Sequence, residues 1–160
     1  MTLTPSSAPL VALTPAGDYE QDYTAWLLHT AALLEQQQWS QIDLPNLIEE
    51  LKDMGKRERR AILSNLEIVL MHLLKYCYQS QKRSHSWRYT LFEHRDRIAK
   101  QLADSPSLKS HLTANWGSSY SIARQKAALE TGLDLRQFPE AAPFTLEQAL
   151  DLDFWPEASL

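Results

Sequence analysis

The sequence predicts an all-α protein, a helical bundle of four to five main helices with short connections and an extended C-terminal segment. Three observations carry this. Apolar residues recur at spacings of three, four and seven through most of the chain. No stretch alternates apolar and polar residues as a half-buried strand would. There are only 4 glycines, few for the turns of a β-rich fold of this size. With 160 residues, 44% of them hydrophobic, the chain can bury a core.

The elements follow in order. Asp18 with Gln21 suits a capping box, and Tyr19, Tyr23, Trp26, Leu27, Leu33 and Leu34 then form an amphipathic stripe ending near Trp39. Asp43 caps the next helix, with Pro45 in its first turn. Leu47, Ile48, Leu51 and Met54 make its stripe, which overlaps in phase with Ile62, Leu66, Val69 and Leu73 beyond Gly55. One helix kinked at Gly55, or two helices with a sharp joint, both satisfy this pattern. Residues 62–78 hold twelve apolar or aromatic side chains in seventeen and form the most buried helix. "SQKRSHS" (80–86) breaks the pattern, and Ser84 or Ser86 caps a helix beginning at Trp87. Trp87, Leu91, Ile98 and Leu102 form its seam, with Glu93–Arg97 and Asp96–Lys100 as i,i+4 pairs. Asp104 or Ser105 then caps a helix started by Pro106. It carries Leu108, Leu112, Trp116, Ala123 and Ala127 and stops at Gly132. "TLEQ" at 145–148 is a capping box for one short helix. Phe138, Phe144, Phe154 and Trp155, among prolines 139, 143 and 156, predict a tail packed across the bundle.

Residues 1–17, rich in Pro, Ser and Thr, read as a flexible tail before a single domain at 18–157. No basic residue precedes the weak apolar patch in that tail, which argues against a secretory signal. No apolar run approaches the roughly 18 residues of a membrane span. The single cysteine, Cys77, permits no disulfide within the chain and fits a reducing compartment. The expected location is cytoplasmic, with no membrane partner. Net charge is −4, unevenly spread. Residues 52–100 hold 12 of the 16 Lys+Arg and 5 of the 20 Asp+Glu, so that stretch carries +7 and the remainder −11.

"YEQDYTAWLLHTAALL", "LPNLIEELKDMGKRERRAI", "MHLLKYCYQ", "RSHSWRYTLFEHRDRI" and "DSPSL" occur in the order seen in DUF29, a family of bacterial, mainly cyanobacterial, proteins of unknown function. The resemblance covers about residues 18–157. It implies an all-helical single domain and no particular activity. The family's recurrent positions match Trp26, Glu49, Glu50, Met54, Gly55, His72, Lys75, Tyr78, Trp87 and Arg95 here.

No residue set specifies a reaction. The acidic and histidine residues Glu49, Glu50, Asp53, His72, His85, Glu93 and His94 contain no Glu-x-x-His pair, no His-Glu-x-x-His and no cysteine cluster, so neither metal nor cofactor is expected. Cys77 and His72, five residues apart, diverge on one helix, and Cys77 reads as a small packed hydrophobe. Two surfaces stand out. A polar stripe on the central helix, with cross-neighbours, outlines a candidate groove: Glu50, Arg57, His72, Lys75, Gln79, Trp87 and Arg95. A candidate basic contact surface comprises Lys56, Arg59, Arg60, Lys82, Arg83 and Arg88, with Tyr78, Trp87 and Tyr89 nearby. The expectation is a non-catalytic interaction module for a protein partner or a second copy. Nucleic acid is weakly supported, because the chain is acidic and lacks a nucleic-acid signature. A hydrolase or metal protein using the His72 groove is a third reading.

Overall fold

The computed structural model describes residues 19–157. Over these the chain is all-helical: α1 Tyr23–Glu35, α2 Leu44–Tyr78, α3 His85–Asp104, α4 Leu108–Ala114, α5 Trp116–Thr131 and α6 Leu146–Leu150, with three short 3₁₀ turns. The chain divides within α2 into two compact units, Met1–Met54 and Gly55–Leu160. The tail at 1–17 and the cap at Asp18 lie outside the described residues.

In the first unit, α1 is shorter at both ends than its periodicity predicts. The capping residue is Asp22, whose Oδ1 accepts from Ala25 N at 2.9 Å. At the other end Gln37 adopts a left-handed φ of 57°, and Trp39–Gln41 forms a separate 3₁₀ turn. The run Gln36–Gln38 offers no apolar side chain to extend the stripe. Trp26, Thr30 and Leu33 are buried, whereas Leu27 and Leu34 stay exposed. Asp43 caps α2 as expected, accepting from Asn46 N at 3.3 Å. Yet Ile48, Leu51 and Met54, expected as a core stripe, are exposed, and so is Leu44.

The second unit holds the main core. α2 runs unbroken through Gly55, so the joint of two helices is not formed. Ile62, Leu66, Val69, Leu70, Leu73 and Leu74 are completely buried. They cluster with Leu91 and Ile98 of α3, Leu108 and Leu112 of α4, and Tyr120, Ala123 and Ala127 of α5. Ser84 Oγ caps α3 by accepting from Trp87 N at 3.3 Å. Both predicted pairs on its outer face form, Arg97–Glu93 at 2.5 Å and Lys100–Asp96 at 2.6 Å. The helix expected from Pro106 to Gly132 is two helices. Pro106 lies in a turn ahead of α4, where Leu108 N donates to Ser105 O at 3.0 Å. Asn115, at φ −106° and ψ 10°, separates α4 from α5; its side-chain Nδ2 donates to His111 O at 2.8 Å beside its own backbone N–H at 3.1 Å. Gly132, at φ 71°, ends α5 in the left-handed conformation glycine favours.

The C-terminal segment packs as its aromatics predict. Phe138 and Phe144 are buried in the core, and Phe154 and Trp155 pack against it. The Thr145–Gln148 capping box forms in both directions. No helix among the described residues is long and apolar enough to cross a membrane.

Candidate functional site

The central-helix stripe is more buried than an open groove would be. His72, Lys75 and Gln79 are each 7–8% exposed. Lys75 Nζ pairs with Glu130 Oε2 at 2.5 Å and sits 4.5 Å from the centre of the Trp87 ring. Gln79 Nε2 donates to Thr131 O at 3.2 Å. Both side chains therefore fasten α2 to the end of α5. His72 Nδ1 donates to the Ile68 carbonyl at 3.0 Å. Burial, aided by the charge of Lys75, holds the imidazole below its ordinary pKa, against the Ile68 bond and Glu130.

Arg95 leaves the stripe and turns to the C-terminal segment. It is 1% exposed; Nε donates to Ala149 O at 2.8 Å and Nη2 to Phe154 O at 3.1 Å. Its remaining nitrogen, Nη1, is buried without a partner. Desolvation pulls the guanidinium down to about 10, opposed by Asp151. Glu50 lies in the first unit, 5% exposed, with one carboxylate oxygen accepting from Tyr19 Oη and the other from Tyr23 Oη, both at 2.6 Å. The bond to Glu50, with burial and the Glu50 and Glu49 charges behind it, pushes the Tyr19 phenol up to about 12. Arg57 is exposed on α2. Of the candidate groove residues, Lys75 and Trp87 are in contact; Glu50 and Arg95 are held by other partners.

The basic surface is more ordered than its sequence suggests. Arg83 lies 4.1 Å from the centre of the Tyr76 ring, and its Nε donates to Tyr76 O at 2.9 Å. Arg88 lies 5.1 Å from the Trp155 ring, and the Tyr76 and Trp155 rings are 5.3 Å apart. Two guanidiniums and two rings thus form one array, with Lys82 in the adjoining 3₁₀ turn. Lys82, Arg83 and Arg88 are exposed, and among the described residues no carboxylate lies within ion-pair distance of them. Farther along, Lys56, Arg59 and Arg60 are exposed on α2. Arg59 borders a cleft of about 460 Å³ lined by Ser107, Leu108, Ser110, His111 and Ala114.

The aromatic members differ from the expected ones. Tyr78 turns inward onto Phe138, with ring centres 5.2 Å apart, and Trp87 receives Lys75. Tyr76 and Trp155 hold the arginines instead. Residues two apart on a helix point about 200° apart, so Tyr76 and Tyr78 could not share a face. The pairing with Trp155, which joins chain positions far apart, has no local sequence signal. Cys77 is 4% exposed and burial pushes its thiol up to about 11, with Arg83 a smaller opposing influence. Among the described residues no group of three or more His, Cys, Asp or Glu is placed to hold a metal ion.

The comparison with known families decides the kinship. The profile of the family described as "Domain of unknown function DUF29" matches residues 19–155. The chain belongs to the DUF29 family. No curated protein and no solved structure matches it. Within this DUF29 domain, the match takes in both units and every residue of the basic–aromatic array.

Proposed function

We propose that this DUF29 protein is a non-catalytic, cytoplasmic interaction module that docks an acidic segment of a partner protein on Lys82, Arg83 and Arg88. One observation carries the reading: two arginines are pre-positioned on Tyr76 and Trp155, exposed and, among the described residues, without a carboxylate partner. Holding a guanidinium against a ring lowers the side-chain entropy lost when it meets a carboxylate. The same packing disfavours a stacking platform for nucleobases, since ring faces on Tyr76 and Trp155 are taken by guanidiniums.

The test is affinity capture with the wild-type chain and a Lys82→Gln/Arg83→Gln/Arg88→Gln variant. The captured protein partner should be lost with the variant; retention would defeat the proposal. A mixed-sequence single-stranded oligonucleotide is titrated in parallel across salt concentrations. Binding that weakens steeply with salt and vanishes in the variant would replace the acidic-protein reading with a nucleic-acid one.

A further inference from the structure

The two arginines of the array are held differently. Arg83 is fixed by the end of α2: the Tyr76 ring centre lies 4.1 Å away, and Tyr76 O accepts from Arg83 Nε. Among the described residues, the guanidinium of Arg88 is held by the Trp155 ring, at 5.1 Å. That ring belongs to a strap, residues 151–155, which follows α6 and forms neither helix nor strand. Inside the strap, Phe154 N donates to Asp151 O at 3.3 Å and Asp153 N to Asp151 Oδ1 at 2.9 Å. Among the described residues, one hydrogen bond ties positions 152–155 to another element, from Arg95 Nη2 to Phe154 O at 3.1 Å. The same guanidinium donates through Nε to Ala149 O, in the last turn of α6, so it grips the segment at both ends. Arg88 and Arg95 are seven residues apart, on one side of α3 and about 10.5 Å apart along its axis. Arg95 also lies 5.8 Å from the Trp155 ring centre, so the ring is laid along that side of α3.

We infer that Arg95 is the positioning residue of the docking surface: it seats the strap, the strap presents Trp155, and Trp155 holds Arg88. What Arg88 meets rests on the docking reading given above; where Arg88 is held does not. Arg95 is 1% exposed, so it does not meet a partner itself. Among the described residues no carboxylate lies within ion-pair distance of it, and Nη1 has no partner. Burying a guanidinium on these terms is costly, and an apolar side chain of similar volume would fill the space without desolvating a charge. Filling space therefore does not call for arginine here. What arginine adds is a rigid fork that takes two carbonyls of one segment at once. The fork fixes where Trp155 stands, and with it where Arg88 waits. The surface accordingly has a permanent half at Arg83 and a conditional half at Arg88. The coupling is reciprocal: an acidic segment that favours Arg88 on its ring also favours the seated strap.

The arginine Nε–Hε signals in the NMR spectrum of the full chain read this seating without any ligand, because a ring beneath a guanidinium shifts its proton upfield. In Arg95→Met the Arg88 signal should move to the position of a free arginine while the Arg83 signal stays. Leu66→Ala, which weakens the core elsewhere, should leave both in place and so separates seating from general stability. Titration with a hexaglutamate peptide follows. Arg95→Met should weaken binding about fivefold, as Arg88→Gln does, the scale of one exposed charge pair. The two changes together should cost no more than either, whereas Arg95→Met and Arg83→Gln should multiply. An Arg88 signal that keeps its ring shift in Arg95→Met, or a loss that multiplies with that of Arg88→Gln, overturns the inference. A wild type that does not bind the peptide, with an Arg88 signal that still follows Arg95, defeats the docking reading and leaves the seating of Arg88 standing. Should Arg95→Met not fold, hydrogen exchange of the wild type decides. Bound peptide should slow exchange at residues 152–155, and should not do so in Arg88→Gln; exchange indifferent to bound peptide overturns the inference.

Discussion

The two halves of α2 carry the same apolar period and meet different fates. From Ile62 to Leu74 the seam is sealed, with six side chains showing no exposed surface. From Leu44 to Met54 four side chains of the same kind stand about half in water. Periodicity therefore reports which side of a helix seeks a partner; it does not report whether that partner lies in the same chain. The sealed half has α3, α4, α5 and the C-terminal segment to pack against. Burial is a property of the assembled elements, and one helix can be core along one stretch and surface along another.

The sharpest way to break this contrast is to release what helps seal the second half. Arg95 bonds the C-terminal segment through the carbonyls of Ala149 and Phe154. Arg95→Ala leaves a cavity and strands two acceptors, and it should cost about 4 kcal/mol of stability in urea unfolding. Arg95→Lys should recover little, because an ammonium cannot reproduce the forked contact. A loss below about 1 kcal/mol for Arg95→Ala would show that the segment is held by its aromatics alone.

Next comes a matched pair of truncations on the same helix. Leu66→Ala removes a side chain with no exposed surface and should cost about 3 kcal/mol. Leu51→Ala removes one that is 61% exposed and should change the unfolding free energy of the monomer by less than about 0.5 kcal/mol. Equal costs at the two positions would erase the distinction between the halves.

Much of this architecture is legible in the sequence, and the misses have physical causes. The second-half seam, the Asp43 and Ser84 caps, the Thr145–Gln148 box and the Gly132 stop all rest on local chemistry, and each is found. The break at Asn115 is not legible because the apolar period continues across it, while Asn115 itself departs from helical backbone at φ −106° and ψ 10°. The capping residue of α1 was missed because two acids, Asp18 and Asp22, stand four residues apart, and a cap requires only one. For the site, the basic residues were visible but their aromatic partners were not. Arg88 and Trp155 are far apart in sequence, and only the packed C-terminal segment brings them together. The burial of Lys75 and Arg95 was equally illegible, since it depends on Glu130 and on two backbone carbonyls from other elements.

A smaller effect belongs to the first unit, where Glu50 is buried alongside Trp26, Thr30 and Leu33. Glu50→Gln keeps the shape but removes the charge that Tyr19 and Tyr23 donate to, and should cost about 1–2 kcal/mol. Absorbance titration of the tyrosines gives a direct readout. Tyr19 should ionise near 12 in the wild type and return towards 10 in Glu50→Gln, whereas Tyr120, raised to about 12 chiefly by burial, should not move. The sign follows from the raised value: the folded state holds the Tyr19 proton more tightly than the unfolded state. This contribution is therefore complete below pH 10 and is lost as pH rises from 10 to 12. An unmoved Tyr19 in Glu50→Gln would show that the carboxylate is not the cause of the shift.

The smallest effect is at the joint between the halves. Gly55 lies inside a continuous α-helix, and a Cβ built there meets nothing within 4 Å. Its φ is not in the left-handed region, as that of Gly132 is. Nothing in the described chain therefore requires glycine for packing or for backbone conformation. Gly55→Ala should raise stability by about 1 kcal/mol, through lower backbone entropy in the unfolded chain and higher helix propensity. Gly132→Ala supplies the opposite control, because alanine at a φ of 71° is strained and should destabilise. If Gly55→Ala instead lowers stability in thermal unfolding, α2 must bend at this residue.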